Sequence, residues 1–303
     1  MHRKRLSSLA LVCMAFLQFN CGGCDSSGDD NIVFIPDDDV KTTDVNYDVE
    51  AMNQIIASFS SPVEMAALLK ASNVPFSTKY LVDPDMVRNY TSSFKKALGL
   101  GILSADLGYL NVYSKTSQIL DYLVSIRQLT DDLKLGQFFE FATLKRLATS
   151  DDNIDSLLIM SVKSYQDMDA HLRNNQRSNL SALMVTGVWL ESMYLVTQVA
   201  KEQPSEDFKN TIGSQKQVLK DLLPLLKLFA KESDKNFTEL VRNLEELKDV
   251  LDVVKIDTRK KENVRPHEDG VFEQDYEDIV IVSDEELVEI ITTTEKIHNK
   301  IIN

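Results

Sequence analysis

The sequence predicts an all-α protein, a multi-helix bundle of about 9–10 helices that forms one bundle or two packed sub-bundles. Two observations predict this class. Only 10 glycines and 7 prolines occur in 303 residues, which leaves little turn material for a many-stranded sheet. Apolar residues also recur at i, i+3 and i+4 through most of the chain, and no segment alternates at period two for long.

Composition and charge exclude several classes of protein. Apolar residues make up 43% and charged residues 26%, which is typical of a folded soluble chain and too apolar for general disorder. The 33 Lys and Arg residues stand against 47 Asp and Glu, for a net charge of −14. Binding to nucleic acid depends on clustered cations, so we expect no nucleic-acid partner.

Residues 1–20 are predicted to be a lipoprotein signal peptide. Residues 1–5 carry three basic side chains, and residues 6–19 form an apolar stretch that is too short to span a bilayer. Cys21 follows directly and is predicted to be the acylated residue, through which chains such as palmitate would hold the protein in a membrane. Cys24 is the alternative, because two small glycines precede it.

Two other interpretations of this N-terminus stay open. One is an ordinary secretory peptide in which Cys21 and Cys24 close a small disulfide loop, and the other is an uncleaved anchor. Lipidation is favoured because all three cysteines lie in the first 24 residues and no A-x-A cleavage site is visible. The rest of the chain therefore has no cysteine for disulfides, thiolate catalysis or metal binding.

Residues 21–43 are predicted to be an acidic flexible tether. Six aspartates and one lysine occur in residues 25–43, with little to pack into a core. Cleavage before Cys21 would leave a charge of −17, so the acyl chains and not electrostatic adhesion would hold the protein at the outer membrane. Acids just behind a lipidated cysteine slightly favour the cell surface over the periplasmic face.

Residues 44–303 are predicted to be one helical domain. Residues 61–64 form a capping box, and Asp83-Pro84 begins a helix that continues towards Leu98. Gly99 and Gly101 are expected to break or bend the chain, and Pro224 is expected to kink or restart a helix. Later helices are predicted at about 152–174, 177–201, 206–231 and 234–254.

The C-terminal part is predicted as a loop followed by one helix. Residues 257–282 are rich in acids and poor in aliphatics, so we expect an exposed acidic loop that ends in the β-prone run 279–282. Ser283 and Glu286 form a second capping box at the start of a final helix, 283–302.

No cofactor or metal site is predicted. The three histidines after residue 20 show no helical pairing that suits zinc. Glu295 and His298 form a single E-x-x-H motif, whereas a di-iron bundle needs two such motifs and further glutamates, so the motif is interpreted as chance.

Two carboxylates stand out on otherwise uncharged helices. Asp106 is the only charge in residues 97–114, and Glu191 is the only charge in residues 180–200. The second segment could be taken for a membrane span, but its several polar residues favour a buried core helix. A carboxylate on an apolar helix needs hydrogen bonds, a cation or a wet cleft. The candidate lining of a ligand cleft is Asp106, Tyr109, Tyr113, Trp189, Glu191 and Tyr194.

The competing interpretation is that each carboxylate is a satisfied core or edge residue, and it is the favoured one. A hydrolase that uses Asp106 and Glu191 would instead place the two carboxyls opposite each other in a concave pocket and raise the pKa of at least one.

Three segments carry a family resemblance: the Asp-rich tether, the stretch Ser104 to Tyr109 and the stretch Gly187 to Glu191. Together they resemble uncharacterised all-helical lipoproteins of Bacteroidetes-type bacteria. This resemblance implies a lipid-anchored envelope protein and no particular reaction. The sequence lacks the G-x-H-x-x-E motif of imelysin-like proteins and is short for a SusD-like lipoprotein.

The functional hypothesis is a lipid-anchored, non-enzymatic binding or interaction module of the cell envelope. Its expected partners are the membrane, through the N-terminal acyl chains, and an envelope protein or a small ligand. The alternatives are a carboxylate-dependent hydrolase and a ligand-delivery protein beside an outer-membrane transporter.

Overall fold

The computed structural model describes residues 68–148, 154–231, 233–260, 265–266, 272–273 and 276–302. In these residues the chain is an α-helical bundle with short two-stranded ribbons, which confirms the predicted all-α class. The predicted signal peptide, both candidate lipidation cysteines, the tether and the capping box at 61–64 lie outside the described residues.

Long helices form most of the fold. The predicted bounds of the five C-terminal helices agree with the structure to within three residues. The helices are α1 (Ser93–Val112), α2 (Thr116–Asp132), α3 (Phe141–Ala148), α4 (Ile154–Asn174), α5 (Ser178–Glu202), α6 (Glu206–Phe229), α7 (Lys235–Leu251) and α8 (Asp284–Ile302). Short 3₁₀ helices cover Thr78–Tyr80, Pro84–Asn89 and Gly136–Phe138. The strands are β1 (Lys255–Lys260), β2 (Arg265–Pro266), β3 (Phe272–Glu273) and β4 (Tyr276–Ile281).

Helix α5 is the centre of the bundle. It packs against α1, α4, α6 and α8, and most of its side chains are buried. Among the described helices it is long and apolar enough to cross a membrane, yet 89% of its most apolar window is buried inside the protein. This agrees with the prediction that residues 180–200 form a core helix.

Several helices end without the glycine that usually ends them. Asn73, Ser114, Lys134 and Gln176 have φ values of 58°, 54°, 60° and 59°, in the left-handed region. In each case the next residue donates its backbone N–H to the carbonyl five residues earlier, as in Arg177 to Leu172 at 2.8 Å. The chain therefore makes these turns with few glycines, and the non-glycine residues in the left-handed conformation carry backbone strain instead.

The N-terminal half of the body differs from the prediction in two places. The helix expected from Asp83 to Leu98 is divided, because the 3₁₀ helix ends at Asn89 and α1 begins at Ser93 behind the Ser92 cap. Helix α1 then continues without a break through Gly99 and Gly101, where a break or bend was expected.

Pro224 does not end a helix either. It lies inside α6, where its ring is exposed, so the hydrogen bond that it cannot donate is lost on the solvent side of the helix.

The region expected to be an exposed loop at 257–282 contains paired strands. Strand β1 pairs antiparallel with β4, with Lys255 opposite Ile281. Val280 fixes the ribbon to α6, because its Cγ1 lies 2.2 Å from where a Cβ at Gly213 would stand. The β-prone run therefore pairs with a polar strand that the sequence pattern did not reveal. The Ser283 capping box is confirmed: Glu286 N donates to Ser283 Oγ at 3.2 Å, and Ser283 N donates to Glu286 Oε2 at 2.7 Å.

Candidate functional site

Two glycines bring α1 and α5 into backbone contact. A Cβ at Gly101 would lie 2.1 Å from the carbonyl oxygen of Met184, and a Cβ at Gly187 would lie 2.2 Å from the carbonyl oxygen of Leu98. Any larger residue at either position would have to push the helices apart. The two glycines therefore allow the helices to pack closely and do not mark a turn.

The carboxyl groups of Asp106 and Glu191 meet about one turn beyond this glycine contact. Both side chains are 0% exposed, and each carboxyl perturbs the pKa of the other, while Asp106 Oδ1 and Glu191 Oε1 have no hydrogen-bond partner among the described residues. Two ionised carboxylates this close in a buried site would repel each other, so we infer that at least one of the two groups carries a proton. Burial raises the pKa of both carboxyls well above the ordinary range, because the loss of water penalises the charged form.

His298 of α8 completes the arrangement. Its Nε2 lies 2.6 Å from Glu191 Oε2, and the direction of this hydrogen bond depends on which group holds the proton. Burial lowers the pKa of His298 to about 4, although the nearby Asp106 carboxyl acts in the opposite direction. The ring of Tyr194 stacks on the imidazole, with 3.6 Å between ring centroids and an interplanar angle of 3°.

Asp106, Glu191 and His298 form what we call the acid–histidine cluster. With both carboxyls protonated and the imidazole neutral, the cluster holds two acidic protons and has no net charge. Transfer of one proton along the Glu191–His298 bond would give an ion pair with the same total charge. The neutral form agrees with all three pKa directions, and it avoids burying separated charges without water.

Asp106 also fastens the chain segment that precedes α1. Its Oδ2 accepts a hydrogen bond from the backbone N of Val82 at 3.0 Å. The Tyr122 hydroxyl of α2 donates to the carbonyl oxygen of the same Val82 at 2.5 Å. Residue 82 is thereby held on both sides, and the cluster joins α1, α5, α8 and this segment into one buried unit.

Tyr109 and Tyr113 do not line a cleft with the cluster. The Tyr109 hydroxyl accepts a hydrogen bond from the backbone N of Ser77 at 3.1 Å, and the Tyr113 hydroxyl donates to the carbonyl oxygen of Val74 at 2.8 Å. Both rings pack against Phe76, at centroid distances of 5.5 and 5.7 Å. These tyrosines hold the 74–77 segment on α1.

Trp189 is a packing residue on a different face of α5. It is 1% exposed, and its Nε1 donates to Oε1 of Gln215 on α6 at 3.0 Å. Of the six candidate residues, the structure therefore brings together Asp106, Glu191 and Tyr194.

His298 is a site residue that was not predicted from the sequence, where it stands out only as part of a single E-x-x-H motif. A better signal was available, because His298 continues the row Ile290 and Thr294 at four-residue spacing, which is the buried face of α8.

A separate cleft of about 210 Å³ lies between the first halves of α1 and α7 and the end of α8. On one side Tyr90 packs against Gly99, where a Cβ would lie 2.3 Å from Tyr90 Cε2. Burial and the two carboxyls of the acid–histidine cluster raise the pKa of Tyr90. The described lining residues are Tyr90, Phe94, Lys95, Leu98, Gly99, Ile102, Asn236, Glu239, Leu240, Asn243, Lys300 and Ile301.

Within the described ranges, no group of three or more His, Cys, Asp or Glu side chains is arranged to hold a metal ion. No protein-family model, curated protein or solved structure matches this chain. The function must therefore be argued from the acid–histidine cluster and the cleft.

Proposed function

We propose that this protein is a non-enzymatic binding protein of the cell envelope and that the cleft between α1, α7 and α8 is its ligand site. The proposed anchor is an acyl group on Cys21, at the outer membrane and facing the cell surface. The anchor is supported by the sequence of residues 1–43, and the binding role is supported by the geometry of the body.

The observation that carries the binding role is the contrast between the sealed cluster and the open cleft. The titratable groups with the strongest functional signature, Asp106 and Glu191, are 0% exposed, and each has one oxygen bonded to a partner inside the protein. The described lining of the cleft contains no His, Cys, Ser, Thr or Asp. Its one carboxylate, Glu239, lies 2.6 Å from Lys300 Nζ, which lowers the pKa of the carboxyl and keeps it ionised. Such a cleft has groups for binding and none arranged as nucleophile and base.

The binding role is tested by screening a library of small fragments by NMR. The side-chain amides of Asn236 and Asn243 line the cleft and serve as reporters. We expect at least one fragment class to shift these amides and to be recovered chemically unchanged. If no fragment shifts them, or if a bound fragment is converted, the proposal is wrong.

A pair of glycine variants separates the cleft from the rest of the fold. In Gly99→Ala the new methyl displaces the ring of Tyr90 and should weaken fragment binding. Gly136→Ala is the matched control, because its Cβ would likewise meet the end of one side chain, Asp131 Oδ1 at 2.1 Å, away from the cleft. Equal effects of the two variants would contradict the assignment of the site.

The anchor is tested by acyl labelling of the wild type, Cys21→Ala and Cys24→Ala, combined with protease shaving of whole cells. We expect Cys21→Ala alone to lose the label, and shaving to degrade the body on intact cells. Loss of label only in Cys24→Ala would move the modification, and an unlabelled wild type would refute the anchor.

A carboxylate-dependent hydrolase is the second candidate, because Asp106 and Glu191 do face each other with raised pKa values. For this function the buried cluster would have to open to substrate. Any hydrolytic activity of the purified protein would have to disappear in Asp106→Asn and in Glu191→Gln. Activity that persists in both variants excludes this role for the pair.

A further inference from the structure

We infer that the cleft binds a small organic anion: an acidic group on a compact apolar body. This inference rests on the proposed binding function and names the class of ligand. It is carried by three features of the cleft: apolar side chains from all three helices, an exposed lysine at the rim that has no carboxylate partner among the described residues, and a small volume.

Each of the three helices contributes apolar side chains to a cleft whose lining is mixed apolar and polar. Helix α1 contributes three apolar side chains and a glycine against which the Tyr90 ring packs, while α7 and α8 each contribute one aliphatic residue. These side chains can contact the hydrocarbon body of a small ligand. The apolar residues are Phe94, Leu98, Ile102, Leu240 and Ile301.

The rim has a local positive charge in a chain of net charge −14. Lys300 is neutralised, because its Nζ lies 2.6 Å from Glu239 Oε1 and also donates to Asn243 Oδ1 at 3.1 Å. Lys95 is exposed, and no described carboxylate lies within ion-pair distance of it. The charged residues that line the cleft therefore sum to a charge of +1, which favours an anionic ligand.

The helix ends near the cleft support the same sign of charge. The edge-to-face contact of Phe94 with Phe237, at 5.1 Å, places the first turns of α1 and α7 side by side. Helix α1 is capped by the neutral Ser92 and has no acid in its first turn, so its N-terminal partial charge is not offset. Helix α7 is capped by Asp234, whose carboxylate accepts from the first backbone amides of that helix. The positive field therefore lies on the α1 side of the cleft, beside Lys95.

The volume limits the size of the ligand. The cleft has a volume of about 210 Å³. Pockets for drug-sized ligands usually have about 300–1,000 Å³. The cleft therefore suits a branched or monocyclic acid and excludes a nucleotide, an oligosaccharide or a folded peptide as a fully enclosed ligand.

The test uses three probes of equal shape: phenylpropanoate, phenylpropanamide and phenylpropylamine. Binding to the wild-type protein is measured by calorimetry, and the Asn236 and Asn243 amide shifts confirm the location. We expect phenylpropanoate to bind most tightly and the amine most weakly. Lys95→Gln should weaken phenylpropanoate about fivefold, the upper end for an exposed ion pair, and leave the amide probe unchanged.

Lys220→Gln is the matched control, because Lys220 is exposed on α6 outside the cleft and the substitution removes the same charge. Equal binding of the amide and the anion at the cleft, or equal effects of the two lysine variants, would overturn the inference and leave the binding function standing. If library fragments shift the cleft amides but none of the three probes does, the inference is again wrong. If no fragment shifts them either, the proposed function fails with it.

Discussion

Glu191→Gln should stabilise the protein at neutral pH, although it removes a fully buried carboxyl group. The structure keeps Glu191 protonated, whereas in the unfolded chain a glutamate ionises with a pKa of about 4.3. A group whose pKa is raised by folding loses stabilising effect as pH rises. The protonated carboxyl therefore costs about 1.4 kcal/mol for each pH unit above about 4.3, up to the folded-state pKa.

This cost is therefore larger at pH 7 than at pH 5. Glutamine has nearly the same shape and no proton to acquire. Its amide can donate to His298 Nε2, so the hydrogen bond between positions 191 and 298 can be kept. The variant should therefore gain a large part of this free energy at pH 7 and almost none near pH 4.

The assay is urea unfolding followed by circular dichroism between pH 5 and pH 8. The unfolding free energy of the wild type should fall more steeply with rising pH than that of Glu191→Gln, because only the wild type has a carboxyl at this position that binds its proton more tightly in the folded state. Glu289→Gln is the control, because Glu289 is exposed on the same helix as His298, and its slope should match that of the wild type. If Glu191→Gln destabilises the protein at pH 7 and keeps the wild-type slope, Glu191 is an ionised partner of a charged His298 and the neutral cluster is wrong.

Three further predictions concern other parts of the body. Gly187→Ala should lower the free energy of unfolding in urea by about 3 kcal/mol or more, because its Cβ would meet the carbonyl oxygen of Leu98 at 2.2 Å. Gly99→Ala should lower it much less, because its Cβ meets only the movable ring of Tyr90. Equal losses in the two variants would contradict the backbone contact. The imidazole of His298, with a pKa of about 4, should stay neutral in an NMR titration from pH 8 to pH 5, and protonation near pH 6.5 would refute this. Because folding lowers this pKa, the contribution of His298 to the free energy of unfolding should be lost as pH falls from about 6.5 towards 4. Lys134→Gly should raise the unfolding free energy by about 0.5 kcal/mol, because φ of 60° suits glycine, whereas Lys134→Ala should give no gain.

The sequence allowed accurate prediction of helices whose signals are local. Periodicity and capping residues placed α4 to α8 to within three residues, and the Ser283–Glu286 box was correct in its atomic detail. Local signals failed where a residue acts through a distant partner. Gly101 was predicted to break or bend the helix, whereas in the structure it packs against Gly187 of α5 inside a continuous helix. Strand β1 is polar and exposed along its length, so only its pairing with β4 reveals it.

The candidate site was predicted in part for the same reason. Asp106 and Glu191 could be singled out, because a lone charge on an apolar helix is visible in sequence. Their burial side by side, and the approach of His298 across 107 positions of the chain, depend on how α1, α5 and α8 pack. Side chains with polar ends occur at positions 109, 113 and 189, and in sequence they look like residues of the site. Only the structure shows that the hydroxyls of Tyr109 and Tyr113 and the indole N–H of Trp189 form hydrogen bonds elsewhere.

The central claim is that the acid–histidine cluster is sealed and uncharged, and so holds the helices around the cleft instead of reacting with a substrate. The most direct measurement is the infrared difference spectrum at pH 7 between the wild type and Glu191→Gln. We expect the wild type to show the carbonyl stretch of a protonated carboxylic acid that does not shift when bulk pH is varied between 6 and 8. A carboxylate band in its place, with an imidazolium signal from His298, would contradict the account.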